Sequence, residues 1–317
     1  MSEDVAGAGV RGELLELPSP YSIVPGIFKL IEKGECADPD TLLERIVSGN
    51  YDRPFVVDDG TSRALHFSLV YIQSEMLVAR PFELALAYTR KMMGFLLFVA
   101  QPRNVLLLGL GGGSLAKYCH RHLPLARITV VEISPDVIAF RDEFHVPRDD
   151  SRFKVVCADA ADYIHACGEQ FDVILTDAFD RCGFAESVSA PRFYASACQR
   201  LSPNGMLVAN LAGSKDERVA HLGMIHETFG DNILAVPVAD EANQVVFSFR
   251  NRDFQPRWPQ VGSQAQSMRS RFGIDFPYIA SRMELSRKLR YLERCLGGEC
   301  GKASAAAGLR KKRDSRR

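Results

Sequence analysis

The chain has 317 residues, 46% of them hydrophobic, with 39 basic and 39 acidic side chains that cancel. That is enough to bury one large domain, or one domain with a smaller partner. Zero net charge argues against a uniformly basic nucleic-acid surface, no long apolar run marks a membrane span, and Met1 to Gly9 lacks the basic-then-apolar pattern of a secretory signal.

In chain order, residues 1–14 are small and polar and read as disordered. Pro54-Phe-Val-Val-Asp-Asp-Gly60 ends in a turn signal, and Ala64-Leu-His-Phe-Ser-Leu-Val-Tyr-Ile72 is aromatic and β-branched. The pair predicts two antiparallel strands over 54–76. Leu84, Leu86, Ala87, Met92, Met93, Leu96 and Leu97 recur at helical spacing, predicting a helix over 81–99. After Pro102 the pattern becomes strand, turn, helix, strand. Val105-Leu-Leu-Leu108, Ile128-Thr-Val-Val131, Lys154-Val-Val-Cys157, Phe171-Asp-Val-Ile-Leu175 and Gly205-Met-Leu-Val-Ala209 are short apolar runs of the buried parallel type. Residues 114–122 predict a helix, another begins at Ser134-Pro135, and 233–238 with 244–249 predict a closing antiparallel pair. Strands alternating with helices define an α/β fold, Rossmann-like, with a mainly parallel sheet covered on both faces. The expected organisation is a disordered N-terminus (1–14), a β element and helix (15–100), a Rossmann-like catalytic domain (101–255), a helical extension (256–300) and a basic disordered tail (301–317).

The chemistry gathers at strand ends. Gly109-Leu-Gly-Gly-Gly-Ser114 follows a buried strand and opens a helix, so backbone can approach a ligand at Gly109, Gly111 and Gly113. Glu132 ends the second strand about twenty residues later, where a carboxylate accepts from the ribose hydroxyls of a nucleoside. Asp159, with Ala160 after it, ends the third and suits an adenine amino group; Asp177 ends the fourth. NAD and S-adenosylmethionine (AdoMet) both fit a turn plus Glu132. The turn lacks GxGxxG spacing, and Asp159 and Asp177 have no standard role with NAD, which favours a sulfonium nucleoside.

Eight cysteines (Cys36, Cys119, Cys157, Cys167, Cys182, Cys198, Cys295 and Cys300) form no CxxC pair. Cys295 and Cys300 alone have metal-pair spacing and no second pair lies near, so free thiols in a reducing cytoplasm are expected, without a metal.

Thr176-Asp177-Ala-Phe-Asp180, followed by Gly183-Phe-Ala-Glu-Ser187, resembles the Thr-Asp-Ser-Ser-Asp-Pro and Gly-Pro-Ala-Glu-Ser run of the spermidine synthase family. The spacing persists through Phe193-Tyr194 and Leu201-Ser-Pro-Asn-Gly205, and Cys157-Ala-Asp-Ala-Ala-Asp162 is similar to the family's Gly-Asp-Gly segment. The resemblance spans about residues 54–250. It implies an AdoMet-dependent methyltransferase-type parallel sheet with a small N-terminal β element. It also implies a transferase that moves an aminopropyl group from decarboxylated AdoMet to an amine in polyamine biosynthesis. Asp177 would be the proton acceptor and Asp180 would hold the amine. Gln73 resembles a cofactor-side glutamine and Tyr88 the substrate-lining tyrosine. Three places differ from the family pattern. Gly112 stands where the family has an Asp that receives the aminopropyl ammonium, leaving room for the carboxylate of ordinary AdoMet and a methyltransferase alternative. Arg181 stands where a proline follows the Asp pair. Ala239-Asp240-Glu241 replaces a Tyr-Pro segment, with Asp240 a candidate amine ligand. The expected partner is a small-molecule amine, in a cytoplasmic protein that forms a homodimer and does not bind nucleic acid or membrane. The six basic residues of the tail, Arg310 to Arg317, read as solvated.

Overall fold

The computed structural model describes residues 13–19, 25–32, 38–181, 183–238, 243–291 and 295. Residues 1–12, Cys36, Cys182, Asp240, Cys300 and the basic tail lie outside the described residues.

The N-terminal β element is larger than one hairpin. Strands β1 (Glu13–Pro18), β2 (Ile27–Glu32), β3 (Phe55–Asp58), β4 (Ser62–Ser68) and β5 (Tyr71–Leu77) form one antiparallel sheet in chain order. Residues 13 and 14 are therefore strand, not disordered tail. A turn at Leu69-Val70 splits the apolar run that reads as a single strand, giving three strands where two were expected. Helix α1 (Pro39–Val47) closes one face. Asp38 caps it by accepting from the Thr41 amide, with proline at the first turn, where its missing N–H is harmless. Leu17, Phe28, Leu30, Leu42, Ile46, Tyr51 and Phe55 form the small core between them.

The helix expected over 81–99 begins only at Ala87. It runs as α2 (Ala87–Met92) and tightens to a 3₁₀ turn at Met93–Leu97. Arg90 explains the delay. Its guanidinium donates to the carbonyls of Leu84 (2.6 Å) and Ala85 (2.5 Å), so backbone oxygens that a longer helix would use are already satisfied.

The main unit then runs β6 (Asn104–Leu108), α3 (Ser114–His122), β7 (Arg127–Glu132), α4 (Pro135–Ala139), β8 (Phe153–Cys157), α5 (Ala160–Ala166) and β9 (Phe171–Thr176). A short hairpin follows, β10 (Phe179–Asp180) and β11 (Gly183–Phe184). Next come α6 (Pro191–Arg200), β12 (Leu201–Leu211), α7 (Lys215–Phe229), β13 (Ile233–Pro237), β14 (Gln244–Phe249), α8 (Trp258–Phe272) and α9 (Phe276–Lys288). The sheet order is β13-β14-β12-β9-β6-β7-β8. Strands β6, β7, β8, β9 and β12 are parallel, and β14 is antiparallel to both β12 and β13.

Alternation along β6 shows why both faces are covered. Val105 and Leu107 enter one core with α2, α3, α8 and α9; Leu106 and Leu108 enter the other with α5, α6 and α7. None of these four residues is more than 2% exposed, as a strand buried on both faces requires. After β8 the chain returns to the far side of β6 as β9. The order reverses between β6 and β9, and their carboxyl ends open a crevice there, where ligands bind in such sheets.

Candidate active site

The crevice holds a cleft of about 620 Å³, a size suited to a nucleoside-sized ligand. The five-stranded sheet supplies Leu65, Phe67, Gln73 and Ser74 on one side. The main sheet supplies the strand-end residues on the other.

Register fixes the floor. The Gly109 amide donates to the Val131 carbonyl (2.8 Å) and the Asp177 amide to the Leu108 carbonyl (2.9 Å), tying the ends of β6, β7 and β9 together. Gly109 has φ +99°, and a Cβ there would overlap the Asp177 carbonyl oxygen, so glycine is required. Gly111 also lines the cleft. Gly113 does not. With φ +67° it precedes α3, and a Cβ there would run into Val146, so its place is packing.

Glu132 lines the cleft and is 9% exposed. Its two oxygens accept from the backbone amides of Leu110 and Ser134, each at 2.9 Å. The carboxylate is thus aimed by the glycine turn on one side and by the start of α4 on the other, and each oxygen keeps a lone pair for a ligand. Asp159 caps α5, its Oδ1 accepting from Ala161 (2.7 Å) and Asp162 (3.0 Å), with Ala160 beside it in the lining. Ile133, which follows Glu132, lines the cleft yet is 64% exposed, an apolar side chain beside the strand-end acid.

Asp177 is held by two side chains. Its Oδ2 accepts from the Tyr88 hydroxyl (3.0 Å) and its Oδ1 from Asn210 Nδ2 (2.9 Å). Desolvation in the cleft wall pushes its carboxyl above the ordinary range, and the Asn210 and Tyr88 donors oppose that rise. Asp180 reaches the same cleft from β10. The hairpin behind it packs Phe184 on the His221 ring, 3.9 Å between centroids, while His221 Nδ1 and the Tyr194 hydroxyl share a 2.6 Å hydrogen bond.

Arg181 does not place its charge in the cleft. Its guanidinium turns to the Phe67 carbonyl (3.1 and 2.7 Å) and the Tyr51 carbonyl, clasping the hairpin to the five-stranded sheet. Arg181→Ala should therefore loosen Asp180 rather than relieve repulsion. We expect KM for an amine substrate to rise about 3- to 10-fold, the loss of one or two charged hydrogen bonds, with a smaller change in kcat. A fall in KM, measured by initial rates, would instead show that the Arg181 charge repels the amine.

Among the described lining residues the carboxylates are Glu132, Asp159, Asp177, Asp180 and Glu186, against one guanidinium, Arg192. Such a cleft suits a cationic ligand. No group of metal-ligating side chains is present among the described residues, nor is any described helix long and apolar enough to cross a membrane. The structure thus brings Gln73, Tyr88, Gly109, Gly111, Glu132, Asp159, Ala160, Asp177 and Asp180 to one cleft. The sequence pattern does not single out Asn210, Ile133 or Ser74. For Ile133 a signal exists in its place directly after the strand-end acid.

A glycine turn at the switch point with acids at successive strand ends defines a Rossmann-like fold with an acid-lined cleft at its ligand-binding edge. The spermine/spermidine synthase domain matches residues 85–232. A polyamine aminopropyltransferase of Chromobacterium violaceum is 32% identical over 230 residues, 72% of this chain and 88% of that relative. The chain belongs to the spermine/spermidine synthase family. The fold is shared with a solved spermidine synthase in complex with the transition-state analogue AdoDATO, at TM-score 0.57 and 15% identity over 78% of this chain and 86% of that one. It is shared also with human methyltransferase-like protein 13 in complex with SAH, at TM-score 0.54 and 22% identity over 60% and 93%.

Proposed function

We propose that the chain transfers the aminopropyl group of decarboxylated AdoMet to a small amine, with Asp177 as the proton acceptor. The observation that carries this is the Asp177 carboxylate, held by Tyr88 on one oxygen and Asn210 on the other in the wall of an acid-lined cleft. Glu132 takes the ribose hydroxyls, Asp159 and Ala160 meet the adenine edge, Ile133 covers its face, and Gln73 closes the cofactor side. The Gly109 and Gly111 backbone lets the nucleoside come close.

The amine nitrogen attacks the carbon beside the sulfonium, a new C–N bond forms, and the C–S bond breaks with its electron pair going to sulfur. Methylthioadenosine leaves as a neutral thioether. The proton shed by the amine goes to Asp177, whose raised pKa brings it nearer to that task. Asp180 and Tyr88 hold the amine in line, and that alignment supplies much of the rate.

One observation favours a second reading. The glycine turn offers no carboxylate to an aminopropyl ammonium, because Gly112 has no side chain; a Cβ there would already meet Ser74 Oγ and the Phe144 ring at 2.9 Å, so the place is filled by protein rather than left open as expected. Ordinary AdoMet, carrying a carboxylate, would find no repelling acid there, and the protein would then be a methyltransferase. Purified protein incubated with decarboxylated AdoMet and putrescine, or a longer amine, should yield methylthioadenosine and one polyamine in equal amounts. Calorimetric titration should give tighter binding of decarboxylated AdoMet than of AdoMet. The opposite order of affinity, with no polyamine formed across an amine panel, overturns the first reading and supports the second.

A further inference from the structure

Asn210 interrupts an otherwise apolar stretch of β12, Met206 to Leu211, and is 4% exposed. A buried amide at a core position is unfavourable unless its oxygen and nitrogen are both paired. Here both are. Asn210 Nδ2 donates to Asp177 Oδ1 (2.9 Å), and Asn210 Oδ1 accepts from Asn243 Nδ2 (3.1 Å). Asn243 itself stands at the base of the β13–β14 connection, where its carbonyl accepts from the Val238 amide (3.0 Å). Neither asparagine lines the cleft.

We infer that Asn210 is a positioning residue for Asp177, and that Asn243 sets which end of the Asn210 amide faces it. The inference rests on Asp177 being the proton acceptor. The two ends of an amide differ in kind, one donating and one accepting. With its oxygen toward Asp177, Asn210 would set two acceptors against each other, and the carboxyl would relieve the conflict by keeping a proton. It could not then accept one from an amine. The reverse orientation would also leave two NH₂ groups facing each other at Asn243 unless that amide turned too, and the clash with Asp177 would then remain. Only one direction satisfies all three side chains, and Asn243 selects it by donating. Asn210 also fixes the plane of the carboxylate, since Tyr88 holds the other oxygen.

The ionisable groups that share the cleft with Asp177 are Tyr88 on α2, Glu132 at the end of β7, Asp159 before α5, Asp180 on β10, Glu186 and Arg192. Desolvation by burial raises the Asp177 pKa, and Asn210 and Tyr88 oppose that rise by donating to the charged form. Since the base works ionised, the rate rises with pH through the Asp177 pKa. Removing a donor raises that pKa, so the acid limb moves to higher pH.

The test uses three variants of the full chain. Asn210→Leu should move the acid limb of kcat/KM upward by about one pH unit, the size of a lost hydrogen bond to a charged group. KM for the amine should change little. Asn243→Ala should move the limb in the same direction by less. Asn243→Asp should be worse than Asn243→Ala, although closer in shape. A carboxylate only accepts, so it would draw Asn210 Nδ2 away and turn the oxygen onto Asp177. A merely structural role predicts the reverse ranking. Affinity for methylthioadenosine and the unfolding midpoint report whether each variant keeps its fold; if Asn210→Leu does not, the Asn243 pair carries the test. An unmoved limb in the folded variants, or Asn243→Asp no worse than Asn243→Ala, overturns the inference. Absence of product from the wild-type protein with every amine would instead overturn the proposed reaction. The relay is then read from the ¹³C titration of the Asp177 carboxyl in the same proteins, with the same ranking expected.

Discussion

Asp177→Asn is expected to lower kcat by about 10²- to 10⁴-fold, the range that a lost proton acceptor commands, with affinity for methylthioadenosine largely retained. The substitution preserves shape. It leaves one oxygen where there were two, so one of the two present donors loses its acceptor. The Tyr88 hydroxyl tolerates this best, because it can rotate and accept from the new amide, whereas Asn210 is locked in its direction by Asn243. The introduced amide should therefore settle with its oxygen toward Asn210 and its nitrogen toward Tyr88. The cleft keeps its geometry and the nucleoside contacts at Glu132 and Asp159 are untouched. What is lost is a site for the amine's proton. Single-turnover product formation, set beside calorimetric titration with methylthioadenosine, separates the two effects. Turnover within tenfold of wild type would remove Asp177 as the proton acceptor, and Asp180 would be the next acid to test.

How much of this was legible in the sequence depends on how locally each feature is encoded. The parallel strands were legible because each is buried on both faces and so reads as an uninterrupted apolar run, as at Val105 to Leu108. Helix α3 and the Ser134-Pro135 start of α4 carry their own punctuation. Strands β1 and β2 carry less. Glu13-Leu-Leu-Glu-Leu-Pro and Ile27-Phe-Lys-Leu-Ile-Glu are short mixed segments whose burial comes from α1 and β3, elements that follow them in the chain. The strand-end acids were legible because position after a strand is itself the signal. Asn210 was not. A polar residue inside an apolar run reads as a flaw in a strand, and its meaning appears only when β9 brings Asp177 alongside from 33 residues earlier. Arg181 shows the converse. Its charge is plain in the sequence but its direction is not, because its acceptors are carbonyls 114 and 130 residues away.

Gly109→Ala should fail differently from Asp177→Asn, losing fold and binding together. Gly109 combines two demands. Its φ of +99° lies where an L side chain is strained, and its Cβ direction is filled by the Asp177 carbonyl. Neither demand can be relaxed alone. Rotating Gly109 to a negative φ would turn its amide away from Val131, and pushing Asp177 aside would break the bond from its amide to Leu108. The second bond lies at the point where sheet order reverses and the first ties β6 to β7 beside it, so damage there opens the crevice itself. We expect a loss of about 3 kcal/mol or more, the size reserved for backbone strain joined to a core overlap, read from urea midpoints. Nucleoside affinity should fall with it. Gly168→Ala is the control, because a Cβ there meets nothing within 4 Å, and it should stay within about 0.5 kcal/mol of wild type, as open surface positions do. If Gly109→Ala proved as stable as that control and still bound methylthioadenosine, the close backbone approach of β6 to β9 would not be what shapes the site. The cleft would then owe its form to the five-stranded sheet alone, and Asp177 would lose the rigid floor on which the proposed proton transfer depends.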